Sequence, residues 1–529
     1  MGRADTDSTL MLSQPKMASQ TSPSCLRLCV GQAAKKSAMQ YVHGLTQAAL
    51  HHARISRDAR FDGKFFIAVR STRIYCRPIC PSPTSKECNV RYYATAATAA
   101  AAGYRPCRRC RPEVAPGSPA WLGPSAVVRR ALRLIQDGGL DACPVETLAT
   151  RLGVGARHLG RLFAQHVGVS PIVVAQTRRL HFAKQLIDET SLSITRVAMA
   201  SGFGSLRRFN DAYRRTYKCA PRDSRRNRGA NNVRGQDDQV TLTLSYRPPY
   251  DWQNMLAFLA DRAIPGVERV DAQGYARTVR LKDRYAVIKV APSQRPQALS
   301  LSVYGAAPSD LLEISTTVRR MFDVAADPIA IGDVLSADSL LLPLLQQRPG
   351  LRVPGSWEEF ECAVRALIER ESNASDATNQ LVQRFGDGIV GASSGLTHLF
   401  PSPSALARAD LTKIGLSMGS IGAVQTLARA LCGSHAHKGL AQKALIDALE
   451  TVPRIGRGSA QYVALRAFGE PDAFPMDDIV ISRVVAEKTR IRSPADLEKR
   501  AEAWRPWRAY AVLHLWQTST AGAAAADRR

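Results

Sequence analysis

The sequence predicts a multidomain α+β protein: a small four-cysteine domain, an all-α double helix-turn-helix, a small α+β domain and an all-α C-terminal domain. Three observations predict it. At 529 residues the chain is too long for one hydrophobic core. Its net charge of +27 is unevenly spread, with 32 Lys/Arg against 11 Asp/Glu in residues 51–228 and only +6 left for the remainder. The apolar period also changes, from helical to alternating near residue 240 and back to helical from about Pro354.

A basic N-terminal half of this kind favours double-stranded DNA as partner over an acidic small molecule. Eleven cysteines without an even, secreted-type framework point to a reducing compartment. No run has the length of a transmembrane helix, and the polar first forty residues lack the apolar region of a signal peptide. The expected location is therefore cytoplasmic and nucleoid-associated, with no membrane partner. Expected boundaries are a flexible leader over 1–45, the cysteine domain over 46–115 and the helix-turn-helix pair over 122–224. A linker follows at 225–239, then the small α+β domain at 240–330, the helical domain at 331–518 and a tail at 519–529.

Within the cysteine domain, Cys76-x3-Cys80 and Cys107-x2-Cys110 form two close pairs. Four thiolates so arranged suit a tetrahedral Zn2+. Arg73, Arg77 and Arg108 lie among them, so the metal is presented to a polyanion. Cys88 falls between the pairs and outside the set. The stretch RSTRIYCRPIC…GYRPCRRCRP resembles the Ada family of adaptive-response regulators in its N-terminal domain, Arg-Pro contexts included. The resemblance implies that Cys76 irreversibly accepts a methyl group from a methylphosphotriester of the DNA backbone. A metal held by four cysteines purely for folding is the alternative.

Residues 144–166 contain a short helix, a turn at Leu152-Gly153-Val154 and a second helix carrying Arg157 and Arg161. Residues 193–221 repeat the plan, with Ser201-Gly202-Phe203 as turn. Such a turn lets one helix brace the backbone while the next enters the major groove. In the second unit Phe209, Ala212 and Tyr213 pack inward, leaving Ser205, Arg207, Arg208, Asn210 and Arg214 to meet bases or phosphates. A helix over about 171–189 sets the spacing of the two units. The double unit, with its Gly-Phe turn and closing Pro221, resembles the AraC family and implies promoter DNA, with RNA polymerase as a further partner of an activator.

Strands are expected at VTLTLSYRPP, YARTVRL and YAVIKV, with a helix over about 252–262. From 240 to 518 the chain resembles AlkA-type 3-methyladenine DNA glycosylases. The resemblance rests on YRPPYDWQNMLAFLADRAIPGVERV, on LETVPRIGRGSAQYVALRAFGEPDAFPMDDIVISRVV and on WRPWRAYAVLHLWQ. It implies a helix-hairpin-helix glycosylase domain that excises alkylated purines. The second aspartate of Met476-Asp477-Asp478, Asp478, is then the catalytic carboxylate, and Tyr462 and Trp516 line the base pocket. A carboxylate suits the task, because cleaving an N-glycosidic bond builds positive charge on the sugar. Core packing is the alternative for the two aromatics.

The hairpin Arg454-Ile455-Gly456-Arg457, expected to meet a phosphate, departs from the usual Gly-x-Gly. Gly458 stands where bifunctional members carry a Schiff-base lysine, so no lyase step is expected. RALIERESNAS places Glu369, Glu371 and Asn373 where the family has an apolar wedge, and acidic groups there would face phosphates. No Pro-Cys-His-Arg stretch is found, so an O6-alkylguanine methyltransferase part is not expected. The sequence thus predicts a methylphosphotriester-sensing activator fused to a monofunctional glycosylase. The alternative is a DNA-binding regulator whose glycosylase domain is weak or inactive.

Overall fold

The computed structural model describes residues 42, 45–58, 61–107, 109, 110, 112, 126–136, 138–141, 143–226, 239–281, 284–369, 371–389, 395–432, 449 and 457–526. The leader before Val42, most of the linker over 225–239, and Arg108, Arg454 and Gly456 lie outside them.

The first unit places helices α1 (Gln47–Ile55) and α2 (Ala96–Ala101) beside a four-stranded sheet of order β3-β1-β2-β4. Its strands are β1 (Phe66–Val69), β2 (Ile74–Cys76), β3 (Val90–Tyr93) and β4 (Arg105–Pro106). Val42, within the expected leader, is buried here against Leu50 and Phe65. The β1–β2 and β1–β3 pairings are antiparallel. The β2–β4 pair is parallel, with Ile74 opposite Arg105 and Tyr75 opposite Pro106.

A helical unit follows, α3 (Ala126–Gln136), α4 (Val145–Arg151), α5 (Ala156–His166), α6 (Pro171–Glu189), α7 (Ile194–Ala200), α8 (Leu206–Tyr217) and α9 (Pro221–Arg226). Ser170 caps α6 and Pro171 opens it, which fits a residue whose missing N–H costs nothing in the first turn. Nineteen residues at 1.5 Å each make α6 about 28 Å long, close to one DNA turn of about 34 Å.

The α+β unit is a five-stranded antiparallel sheet, β5 (Gln239–Ser245), β6 (Glu268–Asp271), β7 (Gly274–Arg280), β8 (Tyr285–Pro292) and β9 (Ala298–Tyr304), in the order β5-β9-β8-β7-β6. Two of these strands, β6 and β9, add to the three expected from sequence. Helices α10 (Trp252–Ala260) and α11 (Leu311–Met321) pack with it. The core is shared with the preceding unit: Leu186, Phe209 and Tyr213 join Leu244, Ile288, Leu301 and Val318 in one cluster. Glu189 at the end of α6 accepts the β5 amide of Thr243 at 2.9 Å, and Gln185 donates to the Thr243 carbonyl at 2.8 Å.

The helical remainder comprises α12 (Pro328–Leu335), α13 (Leu341–Gln347), α14 (Glu359–Ile368), α15 (Ala374–Phe385), α16 (Pro403–Leu406) and α17 (Met418–Leu431). It closes with α18 (Arg457–Phe468), α19 (Ile479–Lys488), α20 (Pro494–Ala501) and α21 (Arg508–Ala526). The last helix runs into the expected tail, where Ala is the best helix former. No helix among the described residues is long and apolar enough to cross a membrane.

Sheet and helices meet through a buried charge cluster. Arg277 of β7 donates to Glu361 of α14 at 2.7 Å, and both side chains are only 2% exposed. Glu268 of β6 completes the cluster, accepting from Tyr275 and Arg365. Removing one partner of such a pair leaves an uncompensated buried charge. Glu361→Ala is therefore expected to destabilise the fold by about 3–5 kcal/mol, read as a lower urea midpoint.

Candidate functional site

The parallel β2–β4 pairing builds the cysteine cluster. Cys76 ends β2 and Cys107 follows β4, so the two leave the sheet at the same end, with Cys107 N–H donating to the Tyr75 carbonyl at 2.9 Å. Each chain then turns, bringing Cys80 and Cys110 back. The four sulfurs lie within 4.8 Å of one another, and those of Cys80 and Cys107 are 3.9 Å apart. A tetrahedral site with metal–sulfur bonds of about 2.3 Å has edges of about 3.8 Å, so the donor set fits.

Electrostatics agree. Bonds to Cys107 push the Cys76 and Cys110 thiols far up, while bonds from Cys110 and Cys76 hold Cys107 far down. Cys107 raises Cys80, but Cys110 and Cys76 bring it to about 6. Four thiolates cannot share this space without a cation, and a divalent metal removes that restriction. Cys80, Cys107 and Cys110 are buried; Cys76 is half-buried. Cys88 is exposed and outside the cluster.

The arginines around the cluster divide. Arg73 is exposed, held in a left-handed turn at φ 55° with its guanidinium 5.6 Å from the Tyr104 ring centroid. Arg77 is turned inward. Its Nε donates to Asp62 at 2.8 Å, a second bond closes the fork, and Nη1 donates to the Cys110 carbonyl. Its backbone N–H donates to Cys110 Sγ at 3.3 Å. Arg77, expected to meet DNA, thus braces the cysteine turn.

Both helix-turn-helix units have their expected turns, with Gly153 and Gly202 at φ 70° and 75°, a region open to glycine at no steric cost. Phe209 and Tyr213 are fully buried and Ala212 partly so. Arg157, Arg161, Arg207, Arg208 and Arg214 are exposed, and Asn210 is half-buried. Ser205, expected to meet bases or phosphates, is the N-cap of α8 and accepts from the Arg208 amide.

In the C-terminal unit Asp478 is the N-cap of α19. Its Oδ1 accepts the amides of Val480 and Ile481 at 2.8 and 3.0 Å, and its Oδ2 accepts the Trp516 indole N–H at 3.1 Å. An ionised carboxylate offers about four acceptor positions, so one side of Oδ2 remains. The helix N-terminus sets partial positive charge against it. Trp516 and Tyr462 are half-buried, ring centroids 6.0 Å apart and tilted 55°. Sequence reasoning missed Arg466, which donates to the Tyr462 hydroxyl at 2.7 Å and lies 5.6 Å from that ring. The capping role of Asp478 was legible, since Asp before an apolar run is a helix-start signal. Arg457 opens α18.

Family models match the metal binding domain of Ada over residues 49–113, a helix-turn-helix domain over 148–227 and the AlkA N-terminal domain over 241–358. Across 477 residues the chain is 37% identical to the probable bifunctional transcriptional activator/DNA repair enzyme AlkA of Mycobacterium tuberculosis, an alignment covering 88% of this chain and 94% of that one. The chain belongs to the Ada/AlkA fusion family. Its C-terminal part is 32% identical to DNA-3-methyladenine glycosylase 2 of Escherichia coli over 285 residues, 52% of this chain and 96% of the relative. Its N-terminal part is 34% identical over 149 residues to the bifunctional transcriptional activator/DNA repair enzyme Ada of Escherichia coli, 28% of this chain and 40% of the relative.

Within this fusion-family chain the acidic stretch beside the pocket has internal partners. Ser417 and Ser420, at the start of α17, both donate to Glu371. Asn373 donates to the Gly415 carbonyl at 3.0 Å, and Glu369 lies 4.0 Å from Arg262. Glu371 therefore serves the N-terminus of α17, where a negative charge is favoured. Met418 beside it is 75% exposed.

Two outcomes are expected. Cys107→Ser removes bound metal, read as loss of the metal adduct in native mass spectrometry. Asp478→Ala loses a cap worth about 1 kcal/mol, whereas Asp478→Asn keeps an acceptor at Oδ1 and melts closer to the wild type.

Proposed function

We propose that this chain senses methylphosphotriesters in DNA through Cys76, activates transcription through its two helix-turn-helix units, and excises alkylated purines through Asp478. The observation that carries the sensor reading is burial: of the four clustered cysteines, Cys76 alone is half-buried and the other three are buried. The metal of the reading is Zn2+, held by Cys76, Cys80, Cys107 and Cys110; when bound it keeps the sulfurs deprotonated at neutral pH. Cys76 Sγ attacks the methyl carbon, the carbon–sulfur bond forms as the carbon–oxygen bond breaks, and the phosphodiester leaves as an anion.

The transfer removes one negative charge from a basic face, so affinity for phosphates rises without a new contact. Arg73, Arg108, Arg157, Arg161, Arg207, Arg208 and Arg214 are the proposed DNA-facing cations, and RNA polymerase is the proposed partner of the activated state. In the glycosylase the extruded base enters beside Tyr462 and Trp516. The Trp516 indole and the α19 amides hold the Asp478 carboxylate, whose Oδ2 faces the positive charge that builds on the sugar while water attacks. The bonds from Ser417 and Ser420 direct the Glu371 carboxylate to the N-terminus of α17, which supports activity.

Duplex carrying 3-methyladenine or 7-methylguanine is expected to release free base, with Asp478→Asn slowed about 10²–10³-fold, the size of losing a preorganised transition-state contact. No release from either lesion overturns the glycosylase assignment. Mass spectrometry after exposure to methylated DNA should show a single added methyl, absent in Cys76→Ala; an unmodified wild type overturns the sensor.

A further inference from the structure

A cavity of about 330 Å3 lies where the folded units meet. Phe66 of β1, Leu132 of α3, Phe182 of α6, Leu312 of α11 and Phe468 of α18 give it apolar walls. The volume is at the lower end of the range for small-molecule sites, about 300–1,000 Å3.

Four arginines reach the cavity and only two carboxylates, Asp323 and Glu470. Arg133 is paired with Glu470 at 2.8 Å, and Arg178 with Asp141 and the Thr316 hydroxyl. Arg320 makes longer contacts, 3.4 Å to the Trp357 carbonyl and 3.8 Å to Glu359. Arg319 has no hydrogen bond or ion pair among the described residues. The carboxylate that acts on it, Glu189, is already held by Gln185, the Thr243 amide and Arg295.

Arg319 is half-buried at the cavity wall, and its guanidinium carries five donors without an acceptor. Burial lowers its pKa. Ser315, one turn earlier on α11, is 3% exposed and lines the same cavity, as does Gln185. The site therefore combines a cation without a partner among the described residues, the Ser315 hydroxyl and apolar walls.

We propose that this cavity binds a small organic anion, a phosphate or carboxylate borne on an aromatic body, with Arg319 as its counter-ion. The walls come from the zinc unit, the helix-turn-helix unit and the glycosylase together, so the ligand stabilises their mutual packing by mass action.

The test is calorimetric titration of the metal-loaded full chain, at fixed ionic strength, with dAMP, salicylate and inorganic phosphate. Variants are Arg319→Met, which keeps the stem without the charge, and Ser315→Leu, which fills the space. Binding of dAMP marks a phosphate ligand and binding of salicylate a carboxylate; either supports the site when it is weakened about tenfold or more in both variants. Inorganic phosphate, lacking the apolar body, binds more weakly than the organic anion. The site is overturned if neither organic anion binds the wild type, or if binding persists in both variants. Arg319→Met also gives a ligand-free readout. Its melting temperature should match the wild type, because no protein partner is lost with the charge; a melt several degrees lower shows that Arg319 is already satisfied and overturns the proposal.

Discussion

Two guanidiniums and two carboxylates, all but Arg365 shut away from water, decide how the sheet meets the helices. Arg277 and Arg365 face Glu361 and Glu268, with the Tyr275 hydroxyl as a fifth member. Charges so deeply enclosed tolerate little displacement, because any gap leaves an ion without a partner in a low-dielectric interior. The cluster pins α14 to β7, and α14 shares its core with α17 and α18. Tyr462 rides on α18 and Glu371 follows α14, so the geometry around both descends from this one electrostatic joint.

The cysteine unit obeys a different constraint. Its sheet is too small to hold four sulfurs by packing alone, and the parallel pairing of β2 with a two-residue β4 does it by register. Arg77 then completes the turn from below through Asp62. A residue that reads as a DNA contact in the sequence is spent on shaping the loop that presents Cys76. The remaining exposed arginines carry the field toward solvent, where long-range attraction to phosphates operates.

Local features were legible and distant ones were not. The cysteine spacing, the glycine turns, the inward Phe209 and Tyr213 and the connecting helix all follow from patterns within a few residues, where period and steric rules act directly. Asp478 could be placed as a cap for the same reason. Arg77 with Asp62, Glu371 with Ser417 and Arg133 with Glu470 join residues 15, 46 and 337 positions apart. No local pattern marks such partners. Strand β6, four residues with charges at both ends, carried too little apolar signal to be seen. The partners of Glu371 at the start of α17 were hidden for the same reason.

The shared core of α6–α8 and the five-stranded sheet has a consequence for where the chain can act. A reading head and a cutting head on a loose tether would sample many mutual orientations, and each would search DNA on its own. Here Phe209 and Tyr213 are packed in the same apolar body as Leu301 and Val318, so docking α8 in a groove fixes the bearing of everything attached to the sheet. Binding one stretch of duplex thus confines the second active surface to a narrow shell around it, raising its local concentration there as a short rigid linkage does. The relative placement of its two DNA-binding parts is then a property of its core.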